Sequence, residues 1–317
     1  MNDRRILTHR INNLLHALLF LGGMAGLLAL LGWVVAGGAG LVLGLGFSLL
    51  LALVGPRISP AMILRMYRAR PILPGEVPGL HALVETLSRR ADLPAPPPLF
   101  YVPSEMMNAF SIGTRDEAAM ALTDGLLRNL SGREITGVLA HEISHIRHND
   151  MWIMALGDTI SRVVGILAFV GQLLVLVSLP VLLFKYGTFP WVAMLLLLAA
   201  PTVSALLQMA LSRNREFDAD LEAARITGDP IGLAMALEKL ESFQRRLWTR
   251  IFLPGRRLPD PSLLRSHPST AARVRRLREM AEFPAPVQPL EARPPRLLEA
   301  WPVVVRRPRR HWHGIWH

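Results

Sequence analysis

Residues 14–55 contain no Asp, Glu, Lys or Arg. At about 20 residues per crossing, such a run is long enough for two transmembrane helices. Glycines cluster at residues 32–40, where a tight reversal is expected. Gly22 with Gly26, and Gly40 with Gly44, have the small-xxx-small spacing that lets helices approach closely in lipid. Arg4, Arg5 and Arg10 precede the run, and Arg57, Arg65, Arg68 and Arg70 follow it. By the positive-inside rule both flanks belong on the cytoplasmic side. A cleaved signal peptide does not fit, because the apolar run is too long and continues directly into a second span. Two further apolar runs, residues 153–184 and 189–211, form a second hairpin across the short segment Lys185-Tyr186-Gly187-Thr188. Asp158 and Arg162 place the start of the lipid-buried part beyond themselves. Pro180, Pro190 and Pro201 mark kinks or boundaries rather than forbidding helices.

Composition narrows the chemistry. The chain has no cysteine, so any zinc site must be built from His and carboxylate. Its formal net charge of +11 is carried almost wholly by Arg, with Lys185 and Lys239 the only lysines. These charges flank the apolar runs or sit in the tail, and no basic surface interleaved with aromatics is evident. Membrane topology therefore accounts for the charge better than a nucleic-acid partner does.

Between the two hairpins the chain changes to mixed polar and apolar sequence. Residues 81–90 read as a short amphipathic helix, and 99–102, 109–112 and 118–123 as short strands. Residues 132–150 then spell GREITGVLAHEISHIRHND. Ser131 followed by Glu134 is a capping box, and Leu139, Ile143 and Ile146 recur at helical spacing. On that helix His141 and His145 stand one turn apart on the same side, where two imidazoles can grip one zinc ion. Glu142 is offset by about 100°, near enough to reach a water activated by the ion without being a ligand.

One helix supplies only two of the ligands. His148 lies about 10 Å along the axis from His141, too far for one ion to collect both. Beyond the fourth apolar run, Arg213-Asn214-Arg215-Glu216-Phe217-Asp218-Ala219-Asp220 opens a region rich in carboxylates. Glu216 and Asp220 share a helix face one turn apart. There Glu216 could bind the ion while Asp220 accepts the other ring N–H of a ligating histidine. Asp218 and Glu222 compete on composition, and spacing alone leaves the choice open. A helix is expected over residues 204–226, closed by Gly228 and Pro230, with amphipathic helices over 231–246 and 269–280. The Pro- and Arg-rich residues 284–317 have few periodic apolar positions and read as a disordered arm that includes His311, His313 and His317.

Taken together, these segments resemble the HtpX-like, M48 family of membrane zinc metallopeptidases over roughly residues 1–282. The resemblance rests on His141-Glu142-Ile143-Ser144-His145, Asp150, the two following spans and the segment from Ser212 to Asp220. Asn108-Ala109-Phe110 and Ser266-His267-Pro268 add to it, in the same order as in the family. It implies a mostly helical α+β zincin-like peptidase domain with a small sheet, combined with a four-helix transmembrane region. The organisation expected is a first hairpin (1–55), the first part of the peptidase domain (56–151), a second hairpin (152–211), the second part (212–283) and the tail (284–317). The resemblance implies one Zn2+ per chain held by His141, His145 and Glu216, with Glu142 as catalytic acid and base. By the same likeness His267 is the candidate second donor to the developing oxyanion. Asn108, Ala109 and Phe110 read as an edge strand that binds an extended substrate.

The family further implies a multi-pass protein of the bacterial inner membrane with its active site on the cytoplasmic side. Its partners would be the lipid bilayer and unfolded or damaged membrane-protein substrates. An intramembrane protease fits less well, because Arg133, Glu134, Arg147, His148, Asn149 and Asp150 make the motif helix too polar for lipid. An inactive scaffold or adaptor that keeps the fold is the alternative of a different class. Substrate identity and oligomeric state are open at this level.

Overall fold

The computed structural model describes residues 3–54, 60–181, 184, 191–252 and 269–282, with side chains described over 15–54, 60–181, 184, 191–246 and 269–282. These form helices α1 (Asp3–Val54), α2 (Pro60–Met66), α3 (Pro78–Arg90), α4 (Asp124–Asn129), α5 (Gly132–His148), α6 (Asp150–Val181), α7 (Trp191–Thr227), α8 (Pro230–Phe252) and α9 (Thr270–Ala281). The strands are β1 (Arg70–Pro71), β2 (Leu99–Val102), β3 (Ala109–Ile112) and β4 (Ala119–Thr123). The chain divides into two compact units, one drawn from residues 1–57 and 152–214, the other from 58–151 and 215–317.

The first unit is built from apolar helices. Leu15–Val54, Asp150–Val181 and Trp191–Thr227 are each long and apolar enough to cross a membrane. Within α1 the backbone leaves helical geometry at Ala36 and Gly37, and Gly37 takes a φ of 60°. The chain reverses there. A Cβ at Gly32 would fall 2.2 Å from the Gly40 carbonyl oxygen, so only glycine allows the two arms to meet. Gly44 also abuts the opposite arm at Ala29, whereas a Cβ at Gly22 or Gly26 would meet nothing within 4 Å among the described residues. Met24, Leu28, Leu31, Leu156, Ile160, Val164, Leu197 and Ala200 form the unit's core. Polar groups inside it are paired across α6 and α7, as Ser204 Oγ with Ser161 Oγ and Gln208 with Asp158. Large apolar side chains such as Leu43, Leu53, Phe169, Val177, Trp191 and Val192 are left uncovered. Such a surface suits lipid as its solvent.

The helix expected over residues 204–226 is the C-terminal part of α7, which starts earlier, at Trp191, and carries Pro201 in its interior. Nothing between the apolar run and Arg213 stops a helix, and α7 ends only at Gly228, with φ 70°. Residues 185–188, the short loop expected between the two apolar runs, lie outside the described residues, as do His267 and the tail with His311, His313 and His317.

The second unit holds a four-stranded sheet of order β1-β2-β4-β3. β2 and β4 run parallel, and β3 pairs antiparallel with β4, with Ser111 opposite Met120. Among the described residues β3 is therefore an edge strand with no further partner. The three longer strands fall where the hydrophobic pattern expects them, while β1, α2 and α4 are too short to leave a periodic signal. Helix α5 lies across the sheet beside β3 and also packs on α8. Gly137 permits this approach, because a Cβ there would stand 2.8 Å from the Leu233 backbone. Leu80, Leu87, Leu99, Met120, Leu122, Leu126, Ile135, Leu139 and Ile143 fill the core between them.

Candidate active site

Helix α5 starts at the capping box read from the sequence: Ser131 accepts from Glu134 N–H while Glu134 returns a bond to the Ser131 backbone. It ends at Asn149, whose left-handed backbone (φ 54°, ψ 32°) separates α5 from α6. That single break lets Asp150 turn back on the helix it follows. Asp150 Oδ2 lies 2.9 Å from His145 Nδ1, and its other oxygen accepts from Arg215 Nη1 at 2.8 Å.

His141, His145 and Glu216 bring ligand atoms within 4.8 Å of one another. The two Nε2 atoms are 3.1 Å apart. Glu216 Oε2 is 3.5 Å from His141 Nε2 and its Oε1 is 3.9 Å from His145 Nε2. Tetrahedral zinc with bonds of about 2.0–2.1 Å sets its ligand atoms about 3.3 Å apart, so this donor set fits the ion. The outer nitrogens argue the same way. His145 Nδ1 faces Asp150, and His141 Nδ1 lies 3.1 Å from Asp220 Oδ1, near enough to pair although out of line for a well-formed hydrogen bond. With each Nδ1 turned toward a carboxylate, the two Nε2 atoms converge on one point, the arrangement in which two imidazoles share a cation.

Among the carboxylates that spacing left open, Glu222 is bound to Arg147 and Arg225. Asp218 is not in the ligand cluster, and neither is His148, whose Nδ1 is 2.9 Å from the Ser144 carbonyl of its own helix.

Two participants were not found by sequence reading. Arg273 of α9 is buried among the carboxylates. Its Nε and Nη2 donate to Asp220 at 2.7 and 2.6 Å, and Nη1 is 2.8 Å from Glu216 Oε2. Burial lowers the guanidinium's pKa, but Asp220 and Glu216 outweigh it and hold the group above its ordinary value, firmly charged. Burial likewise pushes the His141 imidazole down, yet its Asp220 and Glu216 partners carry it up to about 10. The second is Ser111, whose Oγ donates to Glu142 Oε2 at 2.9 Å.

Asn108 is tied to the sheet, its N–H donating to Thr123 Oγ1 at 2.9 Å. Thr123 N–H in turn donates to the Asn108 carbonyl. Alternation along an antiparallel ladder then directs the backbone groups of Ala109 and Ser111 away from β4, toward the free edge. Phe110 points to the other face, against Tyr67 with ring centroids 5.1 Å apart.

The sequence matches the model of peptidase family M48 over residues 74–281. It is 35% identical over 281 residues to a protease HtpX homolog of Nostoc punctiforme, covering 83% of this chain and 94% of that one. A protease HtpX homolog of Acaryochloris marina is 37% identical, covering 78% of this chain and 87% of its own. One from Aquifex aeolicus is 34% identical, with coverages of 81% and 89%. The crystal structure of S. mikatae Ste24p superposes with a TM-score of 0.42 at 21% identity, over 87% of this chain and 66% of that chain. With membrane-length helices, an H-E-x-x-H helix and a convergent His-His-Glu cluster, the chain belongs to peptidase family M48, a family of metallopeptidases.

Proposed function

We propose that this protein is a membrane-bound zinc endopeptidase in which His141, His145 and Glu216 hold one zinc ion and Glu142 is the general base and acid. The observation that carries the reading is the convergence of two imidazole Nε2 atoms and one carboxylate at near-tetrahedral spacing, with Glu142 on the same helix. A bound zinc ion supplies a Lewis acid for the scissile carbonyl and lowers the pKa of water. Glu142 takes the proton of the attacking water and delivers it to the departing amine. Asp150 and Asp220 hold the ligating rings by their Nδ1 atoms, and Arg273 fixes Glu216 and Asp220 together. His267 is the proposed second donor to the oxyanion. Asn108, Ala109 and Phe110 form the strand against which an extended substrate lies, with the outward backbone groups of Ala109 and Ser111 as its hydrogen-bonding partners.

The domain plan proposed is two membrane hairpins, residues 1–55 and 152–211, each followed by part of the peptidase domain, 56–151 and 212–283. The arginines that flank the first hairpin support a cytoplasmic active site at the inner membrane of a bacterium. An unspecific edge-strand mode of binding suits unfolded or damaged membrane proteins as substrates. The test is cleavage of casein by the purified wild type and by Glu142→Gln, both with measured zinc content. Cleavage by the wild type alone is the expected result. Equal cleavage by both would sink the role of Glu142, and no cleavage by either at full zinc occupancy would favour a scaffold.

A further inference from the structure

We infer that Ser111 is a positioning residue for Glu142, coupling substrate pairing along β3 to the aim of the catalytic base; this rests on the role of Glu142 proposed above. Ser111 is half-buried on a free edge strand, where its hydroxyl could as well face water. Instead it donates to a carboxylate 31 residues away, at 2.9 Å. The bond engages Oε2 of Glu142 and leaves Oε1 for the protons of the reaction. A carboxylate has two equivalent oxygens and a freely turning terminal torsion. A fixed donor on one oxygen selects which of them faces the substrate and limits that rotation.

The same residue meets the substrate through its backbone. Thr123 N–H bonds to the Asn108 carbonyl, and Met120 N–H bonds to Pro98 on the other side of β4. Both place the Ser111–Met120 pair at a position where Ser111 N–H and C=O point off the sheet. A peptide that adds to this edge bonds directly to the residue whose side chain holds Glu142. Strand pairing thus stiffens Ser111 at the moment the base is needed, so the contribution belongs in turnover rather than in binding.

The experiment compares kcat and KM for zinc-loaded full-length protein in detergent, with self-quenched labelled casein as substrate. Ser111→Thr keeps the hydroxyl, and Ser111→Val has nearly the same shape without it; both are β-branched and suit a strand. The expected result is that Ser111→Val and Ser111→Ala lose about tenfold or more in kcat, the scale of a hydrogen bond to a charged group, with KM within about twofold. Ser111→Thr restores kcat to within about threefold of wild type on the same scale. Zinc content should be unchanged in all three. Ser111→Val turning over as fast as Ser111→Thr would overturn the inference, as would a loss confined to KM. Glu142→Gln run in parallel separates the two ideas. An active Glu142→Gln removes the proposed base and this inference with it. An inactive Glu142→Gln beside a fully active Ser111→Val removes this inference alone.

Discussion

Asp150 Oδ2 sits 2.9 Å from His145 Nδ1, although the two residues belong to different helices. The break at Asn149 makes this contact, and Arg215 holds the far oxygen of Asp150. The carboxylate can therefore only accept, which fixes the proton of His145 on Nδ1 and leaves Nε2 free to bind a metal. Asp150→Asn keeps the shape but offers an amide that can donate to Nδ1 and reverse the tautomer. Zinc affinity measured by chelator competition should fall about 10- to 100-fold in this variant. Unchanged affinity would mean that His145 is oriented by packing alone.

Glu134 gives a pH dependence away from the His-His-Glu cluster. Its carboxyl is buried and accepts from Ser131 N–H at 2.7 Å and Lys239 Nζ at 2.8 Å. Burial pushes its pKa up, but the Lys239 and Ser131 hydrogen bonds outweigh this and hold it below the ordinary carboxylate value. A depressed folded pKa stabilises above the unfolded value, near 4.3, and the contribution is lost as pH falls through the folded pKa. Glu134→Gln should cost about 2 kcal/mol at neutral pH, and the gap to wild type should narrow steadily below about pH 4. Thermal melts of the two proteins across that range measure it. A gap of constant size would show that charge plays no part.

How much of this was legible depended on the distance over which each feature is encoded. The capping box at Ser131 and Glu134, the stripe of Leu139, Ile143 and Ile146, and the strands at 99–102 and 109–112 are local patterns, and the fold reproduces them. Asp150 and Glu216 were visible as residues, but their geometry needs the turn at Asn149 and the whole of α6 and α7. Ser111 and Arg273 left almost no trace, because their partners lie 31 and 53 residues away. Arg273 looks like Arg275, Arg276 and Arg278 in composition. Its one local sign is that it shares the buried face of α9 with Val274 and Leu277. The helix expected from residue 204 begins at Trp191, because a change from apolar to polar sequence does not require a change of secondary structure.

Topology can be checked on a chain without native cysteines. Gly38 is exposed beside the reversal of α1, and Gln244 is exposed on α8. With a cytoplasmic peptidase domain, a cysteine at Gly38 should react with an impermeant maleimide in intact cells. One at Gln244 should react only after the membrane is opened. The opposite pattern would invert the orientation deduced from the arginine flanks.

Arg273 bears on the stability of the site itself. It stands between Glu216 and Asp220, with contacts of 2.8 and 2.6 Å, and brings α9 against α7. Arg273→Met removes the guanidinium that lies between the buried Glu216 and Asp220 carboxylates, a loss of about 3–5 kcal/mol for a broken buried pair. A bound cation would neutralise Glu216 from the other side. The loss in melting temperature should therefore be larger after chelation than with zinc present. Arg273→Lys should recover little, because an ammonium cannot span both carboxylates with the planar fork that Arg presents. Melts of the three proteins in detergent, each with zinc and with chelator, decide the matter. If the Arg273→Met penalty is the same in both conditions, Arg273 and the metal do not share the charge of Glu216, and its role is confined to anchoring α9.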